Sequence, residues 1–179
     1  GPFLSASPGR LDPGNAAFTD SRKPLAGEFT WKGRRVFVVA NHWNSKGGDQ
    51  PAYGRFQPPV QTTQQQRLAQ AEVVASFVKK LTAADRSALV VVAGDLNDFQ
   101  FSAPVKKLTD AGMTDLPATL PEPQRYGYVF EGNSQVLDHI LVSPALARAR
   151  PAYDIVHINA EYADQASDHD PSVVRLHRK

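Results

Sequence analysis

Apolar residues in this chain come in short bursts, the longest of five or six residues, set between polar and turn-forming stretches. Bursts of that length suit buried strands. They predict strands over 35–40, 88–93, 136–142, 153–159 and 172–177. A shorter strand over 28–31 turns at Lys32 and Gly33 into strand 35–40, as a hairpin would. One segment keeps a helical period instead: Leu68, Ala71, Val74, Ala75, Val78 and Leu81 recur at three- and four-residue steps. Thr62 or Thr63 starts that helix, with Gln65 or Gln66 in capping-box spacing. Ser102, Pro104 and Gly112 bracket a second helix, and Ser143 and Pro144 open a short third. The order β-β-α-β-α-β-α-β-β has no internal repeat. It reads as a sheet or sandwich flanked by helices, an α/β fold.

Two stretches break the pattern. Residues 1–26 are rich in Pro, Gly, Ser and Asp, yet Phe3, Leu4 and Phe18 are too apolar for a free linker and should lie against the domain. The chain opens on Gly1 and Pro2 without Met, as a cleavage scar or internal sequence would, and reads as a piece of something longer. Residues 45–59 hold three glycines and three prolines, and a loop that long usually serves function.

Composition changes this picture little. With no cysteine, disulfides and thiolate metal sites are excluded. No apolar run approaches the roughly 20 residues of a membrane helix. A net charge of +2 and a pI near 8.9 are compatible with a polyanionic substrate.

The candidate chemistry sits at strand ends. Asn41 and His42 follow one apolar strand, Asp95, Asn97 and Asp98 follow another, and Asp168, His169 and Asp170 precede the last. Asp95 and Asn97 are two apart and share a side in extended chain. They could hold a divalent cation, position a water, or simply form an Asx turn. An EF-hand is excluded because Phe99 and Gln100 replace required residues. His42 alone is weak, but Asn44, Ser45, Lys46, Gly47 and Gly48 follow it with donors, a cation and flexible backbone suited to an anionic oxygen. His169 has acidic flanks that would orient it and raise its pKa. Asp138 lies inside an apolar strand and needs a partner, for which His169 is the economical choice. His139, His157 and His177 read as structural, and Arg55 and Arg67, which could touch phosphate, read first as solvated loop and helix positions. No Gly-x-Ser-x-Gly elbow, phosphate loop or His-Glu-x-x-His is present. Glycoside hydrolysis needs only two carboxylates and leaves the histidines unexplained.

In this order, Asn41-His42, Gly94-Asp95-x-Asn97, Asp138 and Ser167-Asp168-His169 resemble the signatures of the endonuclease/exonuclease/phosphatase superfamily, over roughly residues 28–177. The fuller phrases from Asn41 to Pro51 and Gly94 to Phe99 look like its bacterial secreted nuclease branch. The resemblance implies part of a two-sheet α/β sandwich with mostly antiparallel strands and flanking helices. It implies a phosphodiester hydrolase acting on nucleic acid, dependent on Mg2+ (or Mn2+ or Ca2+), secreted or periplasmic, and not membrane-bound. His42, Asp95, Asn97, Asp138 and His169 take the catalytic positions, Asp95, Asn97 and Asp168 the metal positions, and Asn41, Asn44 and Lys46 the substrate positions. All should converge on one rim. The family also uses an early Asn and a metal-binding Glu, and no strand ending in such a Glu lies upstream of His42. The chain therefore reads as the C-terminal portion of one domain, 1–26 being lead-in and 27–179 motif-bearing. The exposed sheet face would then be covered by residues 1–26, a second copy, or the N-terminal half. Phospholipid or phosphoinositide phosphatases of the same fold, a calcineurin-like metallophosphoesterase and an inactive anion-binding half-domain are the alternatives. The calcineurin-like pattern lacks its Asp-x-His, Gly-Asn-His and Gly-His-x-His elements here.

Overall fold

A computed structural model describes residues 3–177, so the question of Gly1 and Pro2 lies outside the described residues. Its strands are β1 (Gly9–Arg10), β2 (Leu25–Trp31), β3 (Arg34–His42), β4 (Leu89–Asp95), β5 (Thr114–Asp115), β6 (Tyr128–Phe130), β7 (Asn133–Gln135), β8 (Asp138–Val142), β9 (Ala152–Ile155) and β10 (Ser172–Arg175). The α-helices are α1 (Gln64–Ala84), α2 (Ala103–Asp110) and α3 (Pro144–Ala147). Six strands form one sheet in the order β1-β2-β3-β4-β8-β5. Only β3 and β4 run parallel, and α1 is the crossover that a parallel pair requires. Strands β9 and β10 pair separately, as do β6 and β7. The result is a mixed α/β architecture, mostly antiparallel as the family resemblance implies.

The sheet has two unlike faces, because alternate residues of each strand point opposite ways. Phe37, Val39, Val90, Val92 and Leu141 pack under Ala71, Val74, Val78 and Leu81 of α1 and Val105 and Leu108 of α2. On the other face Val36, Leu89, Val91 and Val142 meet Leu146, with Tyr153 of β9 and Val174 of β10 against them. That cover stops short of β2, where Phe29 is 52% exposed. The lead-in lies against the domain as expected, with Leu4 and Phe18 buried and the Phe3 ring edge-on to Phe37. It packs on the helix side and along the β2 edge, however, so residues 3–26 do not cover the open face.

Several boundaries differ from the sequence pattern for local reasons. Strand β3 continues through Asn41 and His42, which pair with Gly94 and Asp95. The capping box does not form: Asp49 accepts from the Thr63 hydroxyl and N–H at 2.8 Å each, and Gln66 donates to the Ala17 and Thr19 carbonyls. Leu68 is half-buried, while Arg67 and Gln70 hold buried positions on α1. Ser102 is the N-cap of α2, but its buried hydroxyl makes no capping bond. Strand 153–159 shortens because Asp170 takes the N–H groups of Ile158, Asn159 and Ala160. Hairpin β6–β7 turns on Glu131 (φ 49) and Gly132 (φ 78), the paired positive φ values of a tight primed turn.

Gly94 is the one glycine on which the site depends. Its φ is +129, and a Cβ there would lie 2.0 Å from the Asn41 carbonyl oxygen. Gly94→Ala should therefore pry β4 from β3 and cost roughly 2–3 kcal/mol. A urea midpoint shift equivalent to less than 1 kcal/mol would sink this reading.

Candidate active site

Sheet register builds the site. His42 pairs with Asp95 across the parallel β3–β4 ladder, and Asp95 pairs with Asp138 across the antiparallel β4–β8 ladder. The three side chains therefore stand in one row on the face away from the helices. His42 Nε2 is 3.4 Å from Asp95 Oδ2. The other Asp95 oxygen accepts the Asn97 N–H at 2.8 Å. Asn97 adopts φ +50 and donates from Nδ2 to the Trp43 carbonyl at 3.1 Å, which leaves its Oδ1 to accept or coordinate. The Asx turn and the candidate site are thus the same piece of chain.

His169 reaches this row from the segment before β10. Asp170, 3% exposed, anchors that segment by accepting three backbone N–H groups and pairing with His157. Its own N–H donates to the Gly127 carbonyl, and Asn159 Nδ2 donates to the His169 carbonyl. His169 Nδ1 is bonded to Asp138 Oδ2, and the Tyr128 ring lies 4.7 Å from the imidazole. With Nδ1 engaged, His169 offers Nε2 to a substrate. The Asp138 hydrogen bond raises its pKa against the opposing effect of burial, and Asp95 and Asp168 add to the rise. Burial, and then the charge of Asp138, pushes the Asp95 pKa up. Asp168 is exposed and acts electrostatically on His169 and Tyr128 together with Asp95.

A histidine titration should report this arrangement directly. His169 is expected to titrate above the ordinary imidazole value, and Asp138→Asn should bring the midpoint down by removing the anion that favours the charged ring. For stability the sign follows: a raised folded pKa stabilises below the unfolded pKa, and that contribution fades as pH rises through the folded value. An unchanged NMR midpoint in Asp138→Asn would contradict the pairing.

The structure thus brings together His42, Asp95, Asn97, Asp138 and His169, with Asp168 beside them. Of the three substrate candidates, Asn41 points away from the row, Lys46 is engaged by other side chains and Asn44 has its backbone N–H held. Asn41 points to the helix side, 7% exposed, with Nδ2 on the Val39 carbonyl and Oδ1 accepting from Trp43 Nε1. Asn44 is half-buried, its N–H held by Gln70 Oε1. Lys46 donates to Gln61, sits 3.7 Å from both Asp49 and Asp98, and lies over the Phe99 ring. Burial lowers its pKa despite those acids. Arg67 is likewise no solvated residue. It is fully buried and bonded to Asp98, Asp49 and Thr63, in a polar cluster behind the Asp95–Asn97 turn. His139 is a buried structural histidine, held by Asp115 and the Asp98 carbonyl.

A family model described as endonuclease/exonuclease/phosphatase matches residues 11–167. The chain belongs to the endonuclease/exonuclease/phosphatase family. Among solved structures it resembles truncated TDP2 of Caenorhabditis elegans, with 20% identity, a TM-score of 0.64, 89% of this chain and 62% of that one covered. It resembles a mannosyl-6-phosphatase of Bacteroides thetaiotaomicron at 20% identity and TM-score 0.55 over 88% of this chain and 57% of that one. Sphingomyelinase C from Streptomyces griseocarneus matches at 17% identity and TM-score 0.53 over 86% and 57%. These likenesses are of fold, and this family member spans less than two-thirds of each relative's length. No curated protein sequence matches the chain.

Asp95, Asn97 and Asp168 carry oxygen donors of the kind a divalent cation takes. Asp95 is a half-buried carboxylate beside a second acid, Asn97 presents an amide oxygen, and Asp168 is an accessible carboxylate. Among the described residues no three His, Cys, Asp or Glu side chains cluster as a complete metal site. The three donors would supply part of a coordination shell.

Two contacts at the candidate site escaped the sequence pattern. Tyr128 packs on His169 through an isolated bridge between the two residues, a contact between segments 41 positions apart (169 minus 128) that no local period encodes. Arg22, in the lead-in, donates weakly to the His42 and Trp43 carbonyls, and nothing in its surroundings marks it. Arg67 did carry a signal, since 67, 71, 74, 78 and 81 form one helical stripe.

Proposed function

We propose that this chain is the C-terminal portion of a divalent-metal-dependent phosphodiesterase that hydrolyses nucleic acid, exported from a bacterial cell. The cross-strand row His42–Asp95–Asp138, completed by His169, carries this reading. Phosphoester hydrolysis needs charge stabilisation and positioning more than covalent chemistry. His169, held by Asp138 and with its pKa raised by that hydrogen bond, would bind a phosphate oxygen or donate a proton from Nε2. Asp95, its pKa raised, would orient the attacking water and take its proton, with Asn97 fixing the carboxylate through its N–H. A cation held by Asp95, Asn97 and Asp168 would neutralise charge on the phosphate. His42 stands 3.4 Å from Asp95, placed to contact the same phosphate.

A polyanionic substrate is favoured by the groove beside His42. This space of about 460 Å³ is lined by Arg10, Arg22 and Lys23 and by no acid. Strands β2 and β3 flank it, on the side where the sheet face is open, so an N-terminal half could both cover that face and supply the remaining metal ligand. Export is compatible with a cysteine-free chain.

The experiment compares this chain with a longer one carrying its N-terminal extension, on plasmid DNA and bis(p-nitrophenyl) phosphate, with magnesium and with manganese. The longer chain should cleave both, and this chain should be at least about tenfold slower, having fewer charges to hold the metal. Equal rates would refute the partial-domain reading. Turnover of a phosphate monoester or a phospholipid alone would move the substrate assignment.

A further inference from the structure

A second groove opens beside the catalytic row, and its chemistry is unlike that of the first. It encloses about 560 Å³ between the loop after β3, the turn after β4 and the β6–β7 hairpin, with Lys46, Asn97, Phe99, Tyr128, Phe130 and Leu137 in its lining. Asn97 and Tyr128 belong to both the groove and the site, so the groove begins where the reacting phosphate would sit.

One wall is aromatic, facing the loop after β3. Tyr128 and Phe130, two apart on β6, hold their rings parallel within 10° at 6.4 Å, and Phe99 is backed by a stack with Phe101 at 5.3 Å. Phe99 is buried with Lys46 over its ring and Tyr128 meets His169, so it is the Phe130 ring, 43% exposed, that offers offset stacking to a flat ring. The charge lining the groove is already matched. Lys46 lies 3.7 Å from both Asp49 and Asp98, and Glu131 adds a further carboxylate. A second phosphate would find no uncompensated cation among the described lining residues, in contrast to the groove holding Arg10, Arg22 and Lys23.

We infer that this groove is a subsite for a planar aromatic ring joined to the scissile phosphate, the nucleobase being the example in a nucleic acid. The inference rests on the phosphoester reading above. It divides recognition between two sides: a basic groove beside His42 for flanking phosphate, and an aromatic groove beyond Asn97 for the ring.

Binding tests it without requiring turnover. Thymidine 5′-monophosphate, phenyl phosphate and ribose 5-phosphate would be titrated into the protein and followed by amide NMR. The first two should bind about tenfold more tightly than the third, the scale of one base–aromatic stack. In Phe130→Ala the advantage should shrink toward unity, and in Phe130→Trp it should persist. Phe130 is 43% exposed on a hairpin outside the main sheet, so both variants should fold, as far-UV circular dichroism would show. Equal affinity of all three ligands in the wild-type protein would overturn the ring subsite and leave the phosphoester reading standing. An undiminished advantage in Phe130→Ala would overturn it too. No binding of any of the three, with or without magnesium, would overturn both.

Discussion

Replacing His169 with alanine in the complete enzyme is expected to lower kcat by about 10²–10⁴, the range for losing a positioned acid–base group. The reason is geometric. His169 is the one imidazole in the row whose second nitrogen is fixed by a carboxylate, Asp138, so its Nε2 is held in a single orientation. His42 is more exposed, and its 3.4 Å approach to Asp95 is an ion-pair contact without hydrogen-bond geometry. Asp138→Asn should cost less than His169→Ala. It keeps the ring and much of the hydrogen bonding while removing the charge that raises the His169 pKa. If purified, folded His169→Ala turns over near the wild-type rate, the role assigned to this residue fails. If Asp138→Asn loses more activity than His169→Ala, Asp138 acts on the substrate itself.

The largest stability loss is expected at Arg67, away from the reacting atoms. Its guanidinium is fully buried, with Nε 2.8 Å from Asp98 and Nη2 2.9 Å from Asp49, both acids being nearly inaccessible. It also donates to the Ser45 carbonyl, so one side chain ties α1 to the loop after β3 and to the turn after β4. Arg67→Met preserves bulk but leaves two buried carboxylates without their principal cation. Breaking such a pair costs about 3–5 kcal/mol, with Lys46 nearby holding the loss toward the lower end. For a chain of this size that is a fall in Tm of roughly 10 °C. Arg67→Lys should fall between, since an ammonium keeps the charge but cannot reproduce the planar fork. A loss below 1 kcal/mol in Arg67→Met, read from urea unfolding, would mean the cluster is dispensable.

Periodicity made the main elements legible before any coordinates. The runs ending at Ala40 and Ala93 are unbroken, the one ending at Val142 is interrupted only by Asp138 and His139, and the Leu68–Leu81 spacing is helical. It also made the polar residues at strand ends conspicuous, because a carboxylate or imidazole after an apolar run has few structural excuses. What local pattern cannot encode is which strand lies beside which. The row His42–Asp95–Asp138 exists because β3 pairs with β4 in parallel and β4 with β8 in antiparallel register, and a shift of one residue would turn each side chain to the other face.

Register likewise explains which side chains turn toward the row and which turn away. Asn41 and His42 are adjacent, so strand geometry obliges them to face opposite ways, and register then buries Asn41 among the helices. Lys46 and Arg67 look like free cations in sequence, yet each meets acids 3 to 52 positions away (Lys46 with Asp49 and Asp98, Arg67 with Asp49 and Asp98). Composition and period by themselves determined the α/β class, the principal strands and helices, and which residue types were available for phosphoester chemistry. Tertiary structure decided the register that aligns them, the pairing of His169 with Asp138, the aromatic wall at Tyr128, and which charges are spent inside. Those depend on contacts between distant segments, whose free energy is gained only once the chain has closed the intervening loops.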